Sequence, residues 1–196
     1  MYRLIALALG YLIGCIQTAY IVGKLHGMDI REHGSKNAGM TNVTRTIGKK
    51  AGAFTFIVDI LKCVVAFVVA GLIFGEFPLA GAYAGFGAIL GHCFPVFLKF
   101  RGGKGVSCAI GFIFLIDWRV AIIVYIVAVI AILILRYISF ASLLCTLIAP
   151  FLLLAFGHGA ETVGIMAVTS VLIWVLHRAN IQRLIAGEER KFLTKG

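Results

Sequence analysis

The chain is 196 residues long, 61% apolar and only 13% charged, with mean hydropathy +1.04 and a net charge of +10. Soluble domains are about 45–50% apolar, so this composition excludes one and points to a polytopic membrane protein whose spans satisfy their own backbone. The long apolar runs also exclude a β-barrel, whose strands would alternate, and the cations flank those runs as membrane topology requires, so no nucleic-acid partner is expected.

No linker, low-complexity tract or alignable repeat divides the chain, and residues 1–196 read as a single transmembrane domain of all-α class. Cys15, Cys63, Cys93, Cys108 and Cys145 lie in or beside apolar segments without a CxxC pair, and read as small buried hydrophobes. The first span runs from about Leu4 to Leu25. Leu12-Ile13-Gly14-Cys15 loosely resembles a lipoprotein cleavage box, but the apolar run continues to Val22 and is followed by Lys24, which reads as an uncleaved span.

The longest polar stretch, Lys24 to Lys50, holds six cations and the segment Gly34-Ser35-Lys36-Asn37-Ala38-Gly39-Met40-Thr41-Asn42-Val43-Thr44-Arg45. Hydroxyl and amide side chains among glycines cap helices and expose amides to anions, and a guanidinium such as Arg45 grips phosphate in two places. An ordinary polar loop is the alternative. The second span, about Ala51 to Phe74, carries Asp59 and Lys62 one helical turn apart. Nine residues from Lys50 at ~1.5 Å each put Asp59 ~13 Å deep. Ions at that depth face protein or a wet cavity, so the pair is either structural or a carboxylate that orients a cation of a site.

A span rich in glycine (Gly81, Gly85, Gly87, Gly91) follows, of the kind that packs closely against a neighbour. It leads to His92, which reads equally as a site residue or an interfacial histidine. Next comes Phe94-Pro95-Val96-Phe97-Leu98-Lys99-Phe100-Arg101-Gly102-Gly103-Lys104-Gly105-Val106. Three cations and several glycines suit a phosphate-sized anion, because glycine lets backbone approach a ligand and successive amides form a nest. It is no P-loop: the spacing puts Leu98 where that motif needs glycine and Gly105 where it needs Ser or Thr. A positively charged cytoplasmic turn is the competing reading.

Val106 to Ile116 is short for a span, which needs about 20 residues, and charge decides whether it crosses. With seven spans and the amino terminus outside, fifteen of the eighteen Lys and Arg face the cytoplasm and only Arg3 and Arg119 lie outside. If it did not cross, ten would lie inside against seven outside, so seven transmembrane helices in one bundle, with the carboxyl terminus cytoplasmic, is the expected arrangement. The fifth span, Val120 to Leu135, is wholly apolar scaffold. Ser139 and Ser142 open the sixth, with Ser142 either a cap or a ligand. The seventh, about Thr162 to Leu176, runs into His177-Arg178-Ala179-Asn180-Ile181-Gln182-Arg183-Leu184. If that helix continues, His177 and Asn180 share an inward face with Leu184; Gly187 then ends it.

Three polar clusters are thus expected at the cytoplasmic face. They hold no metal set, since carboxylates are sparse and no two histidines have a ligand spacing, and no cofactor is expected. The clusters resemble the bacterial acyl-phosphate:glycerol-3-phosphate acyltransferases along essentially the whole chain. That family's first motif, G-S-G-N-x-G-A-T-N-x-x-R, is similar to Gly34 through Arg45, with Lys36 for glycine and Met40 for alanine. Its second, G-H-x-F-P-x-F-L-x-F-K-G-G-K-G-V, matches Gly91 through Val106 with Arg101 for lysine. Its third resembles His177 through Leu184 with Gly187 and Glu189, Ala179 standing where glutamate is common.

The resemblance implies transfer of a fatty acyl group from acyl phosphate to the 1-hydroxyl of glycerol 3-phosphate, giving lysophosphatidic acid and inorganic phosphate in phospholipid synthesis at the inner membrane. It also implies functional coupling to a soluble enzyme that makes acyl phosphate, and contact with membrane lipid. Ser35, Arg45, Lys104, His177 and Asn180 are then the expected catalytic residues, and Asn37, Thr41, Asn42, His92, Gly102, Gly103 and Ser142 the substrate-binding ones. Asp59 and Glu189 would be structural or would orient them. In this reading Gly102, Gly103 and Lys104 hold glycerol phosphate, Ser35 and Arg45 hold acyl phosphate, and Asn180 and Ser142 orient reacting oxygens. His177 or a substrate phosphate takes the proton. The rivals fit less well. A small-anion transporter would place cations near the midplane. A membrane lipid-phosphate transferase of the phosphatidyl-alcohol type would need an aspartate-rich metal motif. The His-x-x-x-x-Asp signature of soluble-donor acyltransferases follows none of the five histidines.

Overall fold

The computed structural model describes residues 1–192; Lys195, counted above among the cytoplasmic cations, lies outside them. Every regular element among the described residues is helical, and the chain divides into two compact units, residues 1–115 and 116–196.

The first unit contains α1 (Tyr2–Gly14), α2 (Thr18–Leu25), α3 (Met40–Thr46), α4 (Lys49–Ile73), α5 (Ala80–Cys93), a 3-10 turn (Val96–Leu98) and nearly all of α6 (Val106–Ile116). Its centre is the pair α1 and α5. Gly10 and Gly14 lie on the backbone of Ala84 and Ala88, while Gly87 and Gly91 lie on the backbone of Leu7, Tyr11 and Cys15, and a Cβ at any of the four would collide. Between helices in lipid there is no hydrophobic drive, so close backbone approach and dispersion hold the pair. Gly85 leaves the space that the fully buried Phe112 ring of α6 fills.

The first span is not one helix. It breaks at Cys15–Gln17 between α1 and α2, and the Gln17 amide nitrogen lies 3.1–3.3 Å from the carbonyls of Gly14, Gly91 and His92. A buried side chain thus reaches the Gly14 carbonyl at the break and two carbonyls at the end of α5.

The second unit contains α7 (Trp118–Leu135), α8 (Ile138–Ala155), α9 (Ala160–Leu176) and α10 (Arg178–Ile185). As expected of scaffold, α7 exposes Ile122, Ile126, Val129, Ile130 and Leu133. Asp117 caps it, accepting the Arg119 amide at 2.9 Å, the Arg119 guanidinium at 2.7 Å and His158 Nε2 at 2.9 Å. The Arg119 hydrogen bonds, with His158, hold this carboxyl far below the usual carboxylate range. Pro150 sits inside α8 and has no N–H for the carbonyl four residues earlier. That carbonyl belongs to Thr146, and Ser170 of α9 donates to it at 2.6 Å.

Among the described residues, five segments are long and apolar enough to cross a membrane, six if α9 and α10 count as one bent pair. The remaining expected crossing, fourth in chain order, is α6, whose 11 residues extend only ~16 Å at ~1.5 Å per residue, against a hydrocarbon core of ~30 Å.

Candidate active site

In the first unit, the polar segment after α2 is organised by Asn42, which is 1% exposed. Its Oδ1 accepts the Ser35 amide at 2.8 Å, and its Nδ2 lies 2.9–3.1 Å from the carbonyls of Ile30, His33 and Asn37. Expected to contact substrate, Asn42 instead has both ends of its amide engaged by the loop. Gly34 (φ 60°) sits against Asn42 Oδ1, and Lys36 holds φ 58°. That left-handed conformation favours glycine, which accounts for glycine at this place in the motif pattern; the lysine carries it at some strain. The loop leaves the Ser35 and Arg45 side chains exposed and Asn37 and Thr41 half-buried.

A clamp links this loop to the glycine hairpin. Asp29 binds Arg31 through Nη2 at 2.7 Å, and Arg31 Nη1 donates to the Leu98 carbonyl at 3.3 Å while its guanidinium lies 4.7 Å from the Tyr20 ring centre. The Arg31 hydrogen bonds lower the Asp29 pKa to about 2. A carboxyl depressed by its partner stabilises the fold above its ordinary pKa and loses that contribution only as pH falls through about 2.

The hairpin itself differs from the expected anion nest. Gly103 N–H donates to His92 O at 3.0 Å and Gly102 N–H lies 3.2 Å from Cys93 O. Both amides therefore face the end of α5, and their availability to a phosphate is corrected. What the glycines provide is closeness. A Cβ on Gly102 would strike His92 O and Pro95, and one on Gly103 would strike His92 Nε2 and the Ala38 carbonyl. The Ala38 contact brings the first two motifs together, since Ala38 lies in the Asn42 loop and is fully buried with Ile30 and Val43. Lys104 follows, half-buried, before Gly105 at φ 84°. Lys99 and Phe100, both at positive φ, make the outer bend.

Behind the turn, His92 is 3% exposed, Lys62 5% and Asp59 1%. Lys62 Nζ lies 2.9 Å from Asp59 Oδ1 and 2.9 Å from His92 Nδ1.

In the second unit, the third motif does not continue straight: α9 and α10 meet at His177 with a 62° bend. His177 and Asn180 are nevertheless both buried. His177 Nδ1 lies 2.8 Å from Ile173 O, so in the neutral ring Nδ1 carries the hydrogen and Nε2 the lone pair. That tautomer can accept a proton at Nε2. Ser142 Oγ donates to Ile138 O at 2.9 Å.

Glu189 gathers three donors: Ser139 Oγ at 2.9 Å, Asn180 Nδ2 at 2.8 Å and Arg183 Nε at 2.7 Å. Burial pushes its pKa up, but the hydrogen bonds from Asn180, Arg183 and Ser139 outweigh that and the net shift is downward. The chain can return to make this clamp because Gly187 (φ 71°) turns it after α10.

Gln17 and Thr18 were missed as site-supporting residues. The signal was a polar pair within an apolar run, read as the interior of one span. Asp29 and Arg31 show in the sequence only as charges of the Lys24 to Lys50 stretch, with nothing local to mark their contact with Leu98.

A family model described as glycerol-3-phosphate acyltransferase matches residues 4–187. A glycerol-3-phosphate acyltransferase of Bradyrhizobium sp. (strain BTAi1 / ATCC BAA-1182) is 43% identical over 192 residues, covering 97% of this chain and 96% of that protein. One from Aquifex aeolicus (strain VF5) is 38% identical, covering 98% of this chain and 100% of that protein. Crystal structures of PlsY, described as an integral membrane glycerol 3-phosphate acyltransferase, superpose over 98% of this chain and 96% of theirs. The glycerol 3-phosphate form has a TM-score of 0.91 at 37% identity, and the lysophosphatidic acid form 0.88 at 36%.

Proposed function

Because the chain belongs to the glycerol-3-phosphate acyltransferase family, we propose that it is a multi-pass membrane enzyme that acylates the 1-hydroxyl of glycerol 3-phosphate with a fatty acyl group taken from acyl phosphate. The hydroxyl oxygen attacks the acyl carbon, the bond to the phosphate oxygen breaks, and the hydroxyl proton leaves with inorganic phosphate or through a base. An acyl phosphate is already an activated anhydride, so the enzyme's work is to hold two anions and stabilise developing charge.

The observation that carries this reading is the meeting of two loops in the first unit. The glycine turn that presents Lys104 rests on the backbone of the loop that carries Ser35 and Arg45. Lys104 then holds the phosphate of glycerol 3-phosphate on the turn made by Gly102 and Gly103, with Ser35, Asn37, Thr41 and Arg45 holding acyl phosphate. Asn42 serves by shaping their loop. In the second unit, Ser142 and Asn180 orient reacting oxygens, Glu189 holds Asn180, and His177 Nε2 is the side-chain base. Residues 1–196 are read as a single acyltransferase domain, which the family match over residues 4–187 supports.

Donor choice tests it. The purified protein with glycerol 3-phosphate should turn over palmitoyl phosphate in chelator-treated buffer and should not turn over palmitoyl-CoA. Strict dependence on acyl-CoA or on added metal would reject the reaction. A soluble enzyme that makes acyl phosphate would supply this donor from the cytoplasm, so the site belongs on the cytoplasmic side of the inner membrane. Single cysteines placed near Lys36 and Arg101 on a cysteine-free background should be labelled from the cytoplasm; labelling from outside would overturn that orientation.

A further inference from the structure

Buried ions in a membrane span are costly to desolvate, and close geometry with further hydrogen bonds is what offsets that cost. Lys62 fills its hydrogen-bonding capacity: the ammonium reaches Asp59 Oδ1 at 2.9 Å, the Ile16 carbonyl at 2.7 Å and His92 Nδ1 at 2.9 Å. Asp59 Oδ1 also accepts from Thr18 Oγ1 at 3.0 Å, while its Oδ2 is buried with no hydrogen-bond partner among the described residues. Two of these contacts, Ile16 and Thr18, flank Gln17 at the break between α1 and α2. The α4 pair is therefore tied to the broken span on one side and to α5 on the other.

The chemistry of the Lys62–His92 contact fixes the ring. An ammonium only donates, so His92 Nδ1 must accept, and the ring hydrogen is left on Nε2. Nε2 is the atom against which Gly103 is seated. The main chain of the same residue holds the turn a second time, since His92 O accepts the Gly103 amide at 3.0 Å and the Gln17 amide at 3.1 Å. Without the Asp59 carboxylate, the buried ammonium would lack its counter-charge and the contact that aims it at His92.

We propose that Asp59 and Lys62 are positioning residues which, by holding His92 in its Nε2–H form against Gly103, fix the turn that presents Lys104 and so set affinity for the phosphate of glycerol 3-phosphate. This rests on the reading of the turn given under Proposed function, and goes beyond it by giving a role to two ions buried behind the turn.

The test uses the full-length purified protein and steady-state kinetics with each substrate varied. Asp59→Asn/Lys62→Met removes both charges at nearly constant volume, the change that buried pairs tolerate best. The double variant should keep a melting temperature near that of the wild type. Its KM for glycerol 3-phosphate should rise about tenfold, the size of one charged hydrogen bond, while KM for acyl phosphate stays put. His92→Gln places an amide N–H near the Nε2 position, whereas His92→Asn places its amide at the Nδ1 position, so His92→Gln should raise KM for glycerol 3-phosphate less than His92→Asn. Where the double variant does not fold, the histidine pair decides. An unchanged KM in a folded double variant, or equal defects in the two histidine variants, would overturn the proposal while leaving the acyltransferase reading intact. Failure of the wild type to acylate glycerol 3-phosphate would instead overturn both.

Discussion

Gly103→Ala is expected to lower kcat/KM for glycerol 3-phosphate by ~100-fold or more, since a catalytic group misplaced by about 1 Å can cost that much. The added Cβ meets His92 Nε2 on one side and the Ala38 carbonyl on the other. Neither neighbour can retreat cheaply. The imidazole is 3% exposed and held by Lys62, and Ala38 is main chain anchored in a buried apolar cluster. The turn must therefore move, and Lys104 with it. Steady-state kinetics beside a thermal melt check this, because the expected signature is lost turnover in a protein that still folds. Wild-type kinetics would show that Lys104 needs no such seat.

Lys104→Ala should cost ~10–100-fold in kcat/KM, the equivalent of ~1.5–3 kcal/mol for a charge-assisted contact. The glycine amides face α5, so in the proposed reading the anion contact of this turn falls to the Lys104 side chain alone. The defect should be partly relieved by raising glycerol 3-phosphate and not by raising acyl phosphate. Lys99→Ala, at an exposed bend a few residues earlier, is the control for loss of positive charge near the membrane. Equal effects of the two substitutions would reduce the loop to a topological charge cluster.

What could be read from the amino acids follows from how far each signal reaches along the chain. Apolar runs set the helical class, and the glycines of α5 announced close packing because small side chains act locally. The motif loops were visible as clusters of Gly, Ser, Asn, Lys and Arg. The break at Gln17 was not, because the reason for it is a set of carbonyl acceptors 74 and 75 residues away. The same limit hid the Gly102 and Gly103 amides. Composition marked them as donors, but only the folded end of α5 shows which carbonyls receive them. The bend at His177 lacks a Pro or Gly at the joint, so nothing local distinguished it from a straight helix. The strain at Lys36 was foreshadowed, since lysine stands where the motif pattern has glycine.

The most direct test of the account is to count products in one reaction. Purified protein is given glycerol 3-phosphate and palmitoyl phosphate, and mass spectrometry of the lipid is set against free phosphate. Acyl transfer predicts one 1-palmitoyl lysophosphatidate for each inorganic phosphate released, with no release above background when glycerol 3-phosphate is omitted. Phosphate released with free palmitate and no lysophosphatidate would contradict it.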